Sequence, residues 1–448
     1  MKQRMETPIC DFVREYVEKD PLRLHMPGHK GFGETEAFDL TEVAGADSLY
    51  EAVGIIKKSE EYASKLFDAH TFYSTEGSSL CVRAMLALCK QAALQRGVKN
   101  PWILAGRNAH KSFLSGAMLL DLEVRWLWPT GADYLSCPVT EQDLEAALSS
   151  ADEKPVAVYL TNPDYLGNLI DLAPLANICH KHGVLLAVDN AHGAYLKFLT
   201  PSLHPIDLGA DLCCDSAHKT LPVLTGGAYL HLAKRHRELA SCAKEMLALF
   251  GSTSPSYLIL QSLDRVNALL SENYREQLAD FLVLAEKTKC RLQKNGFVFT
   301  GQEPLKFTVK TKYYGYTGNE VADFLAKRGI VSEFADPDHL VLMLTPQIGK
   351  EGLARLEAAL LSLPKREKIH SVPPKLSAPP VRMTPKEAFF APKVSCPVEE
   401  AVGRVLSSVL LSCPPAVPVL VCGEEVTESA LAVFRYYGVT RLWVVKES

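Results

Sequence analysis

The chain has 448 residues, a formal net charge of −4, 47% hydrophobic residues and 22% charged residues. This length favours two or three domains, because a single hydrophobic core stops growing at a smaller size. The small net charge and the absence of a long basic run argue against a nucleic-acid partner.

The N-terminal segment carries no recognisable targeting signal. Charged residues interrupt every apolar stretch of residues 1–30, so neither a secretory signal peptide nor a twin-arginine signal is expected. No window of the chain approaches the ~20 apolar residues that a membrane span requires. The sequence therefore predicts a cytoplasmic protein without membrane contact.

The 12 cysteines are scattered along the chain and form no C-x-x-C pair. Cys213 and Cys214 are adjacent in an apolar run, so in a strand their side chains would point to opposite faces, which suits packing better than chelation. This usage predicts buried, reduced thiols and no metal site.

The first informative segment is Ser74-Thr75-Glu76-Gly77-Ser78-Ser79, which opens the helical run LCVRAMLALCKQAAL. Glycine and hydroxyl residues at a helix N-terminus offer N–H donors and a positive dipole end, which suit a phosphate group. The segment is neither a Walker A nor a Rossmann fingerprint. An ordinary serine cap remains the alternative.

Two predicted strands, at 102–105 and 124–128, flank a helical stretch from about Ser112 to Leu120. The segment Asn108-Ala109-His110-Lys111-Ser112 follows the first of these strands. A flat imidazole at this position could stack on an aromatic cofactor. A purely structural role for His110 is the alternative.

The runs VAVYL (156–160) and VLLAVD (184–189) predict buried parallel strands. Between them, LAPLANICHKHG places apolar residues on one helical face and ends at Gly183, a plausible C-cap. Further strands are predicted at 210–214 and 227–232. This alternation predicts an α/β fold whose mainly parallel sheet has helices on both faces.

Asp189, Asn190, Ala191 and His192 stand at the carboxyl end of the strand 184–189. A carboxylate at such a position needs a cationic or hydrogen-bonding partner. A protonated pyridine nitrogen would be one, and the pairing would keep the ring an electron sink. A helix N-cap aspartate beside a structural histidine is the alternative.

The segment Asp215-Ser216-Ala217-His218-Lys219-Thr220 lies between two predicted strands and is followed by a Gly226-Gly227 turn. Ligands collect at such loops in open α/β sheets. Desolvation favours the neutral lysine amine, which is the form that attacks an aldehyde. A solvated surface lysine remains the alternative.

Downstream, residues 257–296 show a long helical pattern that predicts a connecting helix to a smaller α+β unit over 297–364. The segment 371–385 is proline-rich and predicts an extended linker. The tail has strand-like runs at 418–423 and 441–445 with a helix between them. The predicted divisions are an N-terminal segment (1–45), a large domain (46–256), a connecting helix with a small domain (257–370), a linker (371–384) and a C-terminal domain (385–448).

These segments, in this order, resemble the fold-type-I enzymes that use pyridoxal 5'-phosphate (PLP), and specifically the Orn/Lys/Arg decarboxylase family. The resemblance covers nearly the whole chain in collinear order, including the tail from TPKEAFFAPKV onward. The other segments that carry it are LHMPGHKG (24–31), VDNAHGAY (188–195), DSAHKTLPVLTGGAYLH (215–231) and STSPSYLILQSLD (252–264).

The resemblance implies an aspartate-aminotransferase-like large domain with small and C-terminal α+β domains. It implies that Lys219 carries PLP as a Schiff base, that Asp189 pairs with the pyridine nitrogen and that His110 stacks on the ring. His218 and Lys219 become candidates for proton transfer. Thr253 or Ser254 would reach the phosphate of a neighbouring subunit. The implied cofactor-binding residues are Gly77, Ser78, Ser79, His110, Asp189, Ala191, His192, Ser216, His218, Lys219, Thr253 and Ser254.

The implied reaction is decarboxylation of arginine, lysine or ornithine to an amine of the polyamine pathway and CO2. The implied assembly is a homodimer or higher homo-oligomer with shared active sites. Because such substrates are cationic, an acidic recognition pocket is expected. Asp47, Glu51 and Glu76 are candidates, with a solvated surface role as the alternative for each.

Four departures from the family pattern leave other functions open. Glu76 stands where relatives often carry asparagine, and Gly226 where many carry glutamine. CPPAVP (413–418) replaces an aromatic-Pro-Pro-Gly pattern, and ADSLYEAVG (46–54) departs from an Asp-Asp-Leu-His-like motif. The alternatives are transamination or β-elimination at the same cofactor, or a PLP-binding protein that is catalytically idle.

Overall fold

The computed structural model describes residues 5–128, 135–409 and 417–447. The chain divides into two compact units. Unit 1 combines Met1–Lys99 with Leu172–Ala279, and unit 2 combines Asn100–Asp171 with Asp280–Ser448. The domain boundaries predicted from the sequence remain predictions.

Helices and strands alternate through most of the described chain. The strands are β1 (Ala69–Ser74), β2 (Trp102–Gly106), β3 (Glu123–Leu127), β4 (Ala157–Thr161), β5 (Leu185–Asp189), β6 (Leu212–Asp215), β7 (Ala228–Ala233), β8 (Phe299–Thr300), β9 (Lys306–Lys310), β10 (Phe334–Ala335), β11 (His339–Met343), β12 (Lys393–Pro397) and β13 (Arg441–Val445). The α-helices are α1 (Pro8–Glu18), α2 (Ile55–Phe67), α3 (Gly77–Gln95), α4 (Lys111–Leu119), α5 (Glu141–Ser149), α6 (Leu172–Lys181), α7 (Ala217–Thr220), α8 (Arg237–Ala248), α9 (Tyr257–Ser271), α10 (Tyr274–Lys294), α11 (Gly318–Ala326), α12 (Gly349–Leu361), α13 (Pro385–Phe390) and α14 (Glu428–Tyr436).

In unit 1 the strands lie in the order β1-β7-β6-β5. β5 and β6 are parallel, with Asp189 opposite Cys214, whereas β7 runs antiparallel to both β6 and β1. Every residue of β6 and β7 is buried, and the largely apolar helix α3 packs against these strands. The pairing brings the carboxyl ends of β5 and β6 together, which positions the loops that follow them.

In unit 2, β4, β2 and β3 are parallel neighbours, with Ile103 opposite both Ala157 and Val124. β8 to β11 form a separate antiparallel sheet in the order β10-β11-β9-β8, and β12 pairs with β13. Buried apolar side chains beneath α14 form the core of the C-terminal segment. Parallel strands joined by helices confirm the predicted α/β class.

Two predicted elements are wrong. The continuous helix over 257–296 is broken, because Glu272 leaves helical geometry with φ −82° and ψ −96° between α9 and α10. Both helices keep one apolar face, so the periodicity in the sequence continues across the break. The run 418–423 is a buried turn rather than a strand, and its Val419 and Leu420 pack in the C-terminal core. Residues 413–416 of the CPPAVP departure lie outside the described residues.

β1 escaped prediction because AHTFYS mixes polar with aromatic residues and only partly alternates in burial. All the cysteines in the described ranges are free thiols, and most are buried. Across those same ranges, no helix combines the length and apolar character that crossing a bilayer would require.

Candidate active site

The lysine singled out by the sequence lies close to a histidine of the neighbouring strand-end loop. Lys219 lies on the short helix α7, which follows β6, and its Nζ is 3.1 Å from Nε2 of His192. His192 is 6% exposed, and it follows β5 by a few residues. The parallel pairing of β5 and β6 therefore joins two motifs that lie far apart in the sequence.

Asp189 ends β5 and is almost fully buried. Its Oδ1 accepts a hydrogen bond from the backbone N–H of Ala191 at 3.2 Å and a weak one from Cys214 Sγ at 3.7 Å. A buried carboxylate is stabilised by hydrogen-bond donors and by a cationic partner. The residue therefore fits a protonated ring nitrogen.

The predicted phosphate segment meets the lysine loop. Ser216 Oγ donates a hydrogen bond to Ser78 Oγ at 2.8 Å. Gly77, the first residue of α3, has φ +72° and donates its N–H to the carbonyl of Gly226 at 2.7 Å. Two hydroxyls at the N-terminus of a long helix suit an anionic phosphate. Ser79 lies in the same first turn of α3.

His218 lies beside this segment. Its Nδ1 is 3.0 Å from the carbonyl of Gly227, which only accepts hydrogen bonds, so Nδ1 carries the proton. Burial lowers the pKa of His218, which favours a neutral ring with an unprotonated Nε2. A Cβ on Gly77 would stand 4.0 Å from Cε1 of His218, so the imidazole borders the phosphate segment.

The departure at Glu76 has a definite structural role. Glu76 Oε1 accepts a hydrogen bond from the backbone N–H of Ser252 at 2.6 Å. The Ser252 hydroxyl in turn accepts from the N–H of Ser254 at 3.1 Å. Thr253 and Ser254 are exposed. Glu76 therefore anchors the loop that carries the two residues predicted to reach a neighbouring subunit.

Asp47 caps a helix, which makes it a poor candidate for binding a cationic substrate. Its carboxylate accepts hydrogen bonds from the backbone N–H groups of Val53, Gly54, Ile56 and Lys57 at the start of α2. The side chain is buried, which contradicts a solvated surface role, and a role in substrate recognition stays a prediction. Glu51, in contrast, is exposed.

His110 belongs to unit 2. It lies four residues after the end of β2 and caps α4, with its Nδ1 accepting from the N–H of Ser112 at 3.2 Å. The residue is exposed. Its stacking role remains a prediction.

The sequence did not predict a cluster of four buried polar residues in unit 1. Asp215, Asn190, His204 and His231 form one hydrogen-bonded cluster directly behind the ends of β5 and β6. Asp215 opens the lysine motif, and Asn190 follows Asp189. No pattern in the sequence joins them to His204 or His231.

Together the residues of unit 1 offer a lysine amine, a buried carboxylate and serine hydroxyls at a helix N-terminus. These groups suit the aldehyde, the ring nitrogen and the phosphate of PLP, respectively. They are typical of an α/β enzyme that binds such a cofactor through a lysine.

Comparison with known families agrees with this class. The model of "Orn/Lys/Arg decarboxylase, major domain" matches residues 7–313, and that of the C-terminal domain matches residues 374–445. The chain belongs to the Orn/Lys/Arg decarboxylase family. This membership confirms the predicted fold and enzyme class, a carboxy-lyase for a basic amino acid.

Individual relatives match over nearly their whole length. The chain is 30% identical over 464 residues to the uncharacterized protein YaaO of Bacillus subtilis (strain 168), covering 95% of this chain and 93% of that protein. It is 29% identical over 465 residues to an arginine decarboxylase of the same organism, covering 95% and 92%. The lysine decarboxylase LdcF of Francisella novicida shares the fold, with a TM-score of 0.79 at 17% identity over 98% of this chain and 81% of that one.

Proposed function

We propose that this protein catalyses the PLP-dependent decarboxylation of arginine to agmatine and CO2. The observation that carries the proposal is the 3.1 Å contact between Lys219 Nζ and His192 Nε2, on loops that also hold Asp189 and Ser216. The choice of arginine over lysine or ornithine draws on the full-length similarity to an arginine decarboxylase.

When bound, PLP supplies an aldehyde that the lysine can bond and a protonated ring that accepts the electron pair left by the departing carboxylate. Asp189 would hold the ring nitrogen in its protonated form. Ser78, Ser216 and the N-terminus of α3 would hold the phosphate. Because Asp189, His192 and Ser216 are buried, they would keep water from the reacting bond.

The chain's own acid–base groups divide the proton transfers. A neutral Lys219 donates an N–H to the unprotonated Nε2 of His192, which holds the amine in place. The lowered pKa of His218 makes its ring a weak proton donor at neutral pH. In its protonated ammonium form, Lys219 is therefore the proposed donor of the proton that replaces CO2 on the α-carbon, and the transfer leaves the neutral amine.

We also propose a homodimer in which Thr253 or Ser254 of one subunit reaches the phosphate bound by the other. The exposure of both residues and the anchoring of their loop by Glu76 support this arrangement. Analytical ultracentrifugation with PLP bound tests it directly. A monomer that retains full activity would contradict it.

The test of the reaction is product identity. PLP-loaded protein is incubated separately with arginine, lysine and ornithine, and the products are identified by mass spectrometry. Agmatine should appear with arginine, and Lys219→Ala should abolish it. Lys234→Ala serves as the matched control, because Lys234 is an exposed lysine that pairs with Asp68. If only cadaverine or putrescine formed, the substrate would be lysine or ornithine rather than arginine. A keto acid without an amine product would show that the reaction is not a decarboxylation.

A further inference from the structure

A buried carboxylate joins the two loops of the proposed site from behind. Asp215, the last residue of β6, is fully buried. Its Oδ1 accepts a hydrogen bond from Nδ2 of Asn190 at 2.6 Å. Asn190 is the residue after Asp189, and Asp215 is the residue before Ser216. One hydrogen bond therefore ties the loop of Asp189 and His192 to the loop of Ser216 and Lys219.

The second oxygen of the same carboxylate is held by two imidazoles. Asp215 Oδ2 accepts from Nε2 of His204 at 3.1 Å and from Nε2 of His231 at 3.2 Å. Nδ1 of His231 is 2.9 Å from the hydroxyl of Thr71, so a neutral His231 donates through Nε2 and accepts through Nδ1. All three side chains are fully buried. The carboxylate thus has hydrogen-bond donors on both oxygens and little freedom to rotate.

Asn190 passes this constraint to His192. The N–H of Asn190 donates to the carbonyl of Cys214 at 3.0 Å, and the N–H of Gly193 donates to the carbonyl of Asn190 at 2.8 Å. The turn is so tight that a Cβ on Gly193 would lie 2.0 Å from Asn190 Oδ1. This turn sets the direction in which His192 leaves the strand and meets Lys219.

We propose that Asp215 is a positioning residue, held between His204 and His231, which orients Asn190 and thereby the His192–Lys219 contact and the Asp189 carboxylate. The assignment rests on the proposed function, because it concerns the cofactor site described above. Two hydrogen bonds and two short chain segments form a closed ring. One hydrogen bond joins Asp215 to Asn190 and the other joins His192 to Lys219. The backbone joins Asn190 to His192 and Lys219 to Asp215. A displacement of the Asp215 carboxylate would therefore move both ends of the His192–Lys219 contact.

The surroundings of Asp215 favour an ionised carboxylate. The two imidazoles lower the pKa of Asp215 against the opposing effect of burial. Among the described residues, the other ionisable groups that interact with this cluster include Cys81, Cys213, Cys214, Tyr229 and Lys197. The cysteines and the tyrosine have raised pKa values because they are buried, so they stay neutral.

The same strand provides a matched control. Asp211, just before β6, is also a buried carboxylate that interacts with two histidines, His180 and His236. Its Oδ2 accepts from the N–H of Leu186 at 2.7 Å. It stands at the opposite end of β6 from Asp215. Asp211→Asn therefore disturbs a similar buried carboxylate without touching the site loops.

The experiment uses the full-length, PLP-loaded protein. Absorbance of the lysine-bound cofactor is titrated with pH for the wild type, Asp215→Asn, Asn190→Ala and Asp211→Asn, and Tm is measured for each. We expect Asp215→Asn and Asn190→Ala to shift the titration midpoint by about half a pH unit or more. We expect them to lower kcat by roughly 10- to 100-fold, because misplaced reacting groups slow catalysis. Asp211→Asn should lower Tm and leave the midpoint unchanged.

An unchanged midpoint in both site variants, with Tm lowered as in Asp211→Asn, would overturn the proposal. So would a stoichiometric transition metal in the purified protein, because the ligand atoms of His204, Asp215 and His231 lie within 4.8 Å of one another. If Asp215→Asn does not fold, Asn190→Ala still tests the proposal, because it removes only the hydrogen bond between Asn190 and Asp215. Borohydride reduction followed by peptide mass analysis shows whether wild-type Lys219 bonds PLP. Failure there would overturn the proposed function instead.

Discussion

The amine of Lys219 and the imidazole of His192 meet at 3.1 Å although 27 positions separate them in the chain. Each residue follows the end of a buried parallel strand, and the pairing of those strands sets the distance. Through this contact Lys219 donates an N–H to Nε2 of His192, which holds the amine in place.

His192→Ala should lower kcat/KM by about 100-fold, because the amine loses the group that positions it for proton transfer. Steady-state kinetics with arginine measure the effect. His370→Ala, which alters an exposed histidine, is the control. Activity within twofold of wild type would contradict the role assigned to His192.

Ser78→Ala and Ser216→Ala should each weaken PLP binding by roughly 10- to 100-fold, because a hydrogen bond to a charged group contributes about 1.5–3 kcal/mol. Equilibrium titration of the apo-protein with PLP measures the dissociation constant. Ser241→Ala, on the exposed side of α8, should bind PLP as the wild type does. If all three variants bound PLP with the same affinity, Ser78 and Ser216 would not be phosphate-binding residues.

Asp47→Ala should lower the free energy of unfolding by about 1–2 kcal/mol or more, because the first turn of α2 loses its cap. KM for arginine should stay at the wild-type value in the folded variant. Thermal denaturation and steady-state kinetics are measured together, with Glu51→Ala as an exposed acidic control. A raised KM for arginine with an unchanged Tm would show that Asp47 takes part in substrate recognition rather than in capping α2.

Asp264 should make stability depend on pH. It accepts hydrogen bonds from the N–H groups of Ile9 and Cys10 and from Ser59, yet burial raises its pKa to about 6. The folded state therefore binds this proton more tightly than the unfolded state does. The stabilisation that the protonated Asp264 side chain gives the folded state is complete below the ordinary pKa of about 3.9. It is lost as the pH rises through about 6.

Relative to Asp264→Asn, which cannot ionise, the wild type should lose about 2–3 kcal/mol of unfolding free energy between pH 4 and pH 7. Urea denaturation across this range measures the difference. Asp280→Asn, on the exposed face of α10, should show no such trend. A difference that is constant with pH would show that Asp264 does not titrate in this window.

Within unit 2, Arg107 and Glu424 form a buried ion pair with Nη2 and Oε2 2.8 Å apart. The guanidinium also lies over the rings of Trp126 and Trp128. Glu424→Leu should cost about 3–5 kcal/mol, because it leaves a buried cation unpaired. The double variant Arg107→Met with Glu424→Leu should be less destabilised than the single one.

The exposed pair of Arg435 and Glu399 is the control, and its disruption should cost at most about 1 kcal/mol. Thermal and urea denaturation compare the three variants. Equal losses for the buried and the exposed pair would contradict the importance given to burial.

The order of the site motifs and most strands of the parallel sheet were predictable from the sequence. Lys219 and Asp189 were identifiable because each stands at or after the end of a short apolar run that forms a buried strand. Such a run is visible in the sequence because its residues are consecutive. The serines of the phosphate segment were identifiable because they open a long helix. Family membership followed from the same motifs in collinear order.

Only the tertiary structure decided which polar atoms meet. The hydrogen bonds of Asp215 with His204 and His231, and of Glu76 with Ser252, join residues whose separation along the chain carries no periodic signal. The sequence carried no sign of the hydrogen bonds of Asp47, because the backbone N–H groups that donate to it converge on its carboxylate only when α2 has formed. Local sequence sets strands and helix starts through backbone preference and burial, whereas partners of buried polar groups depend on how those elements pack.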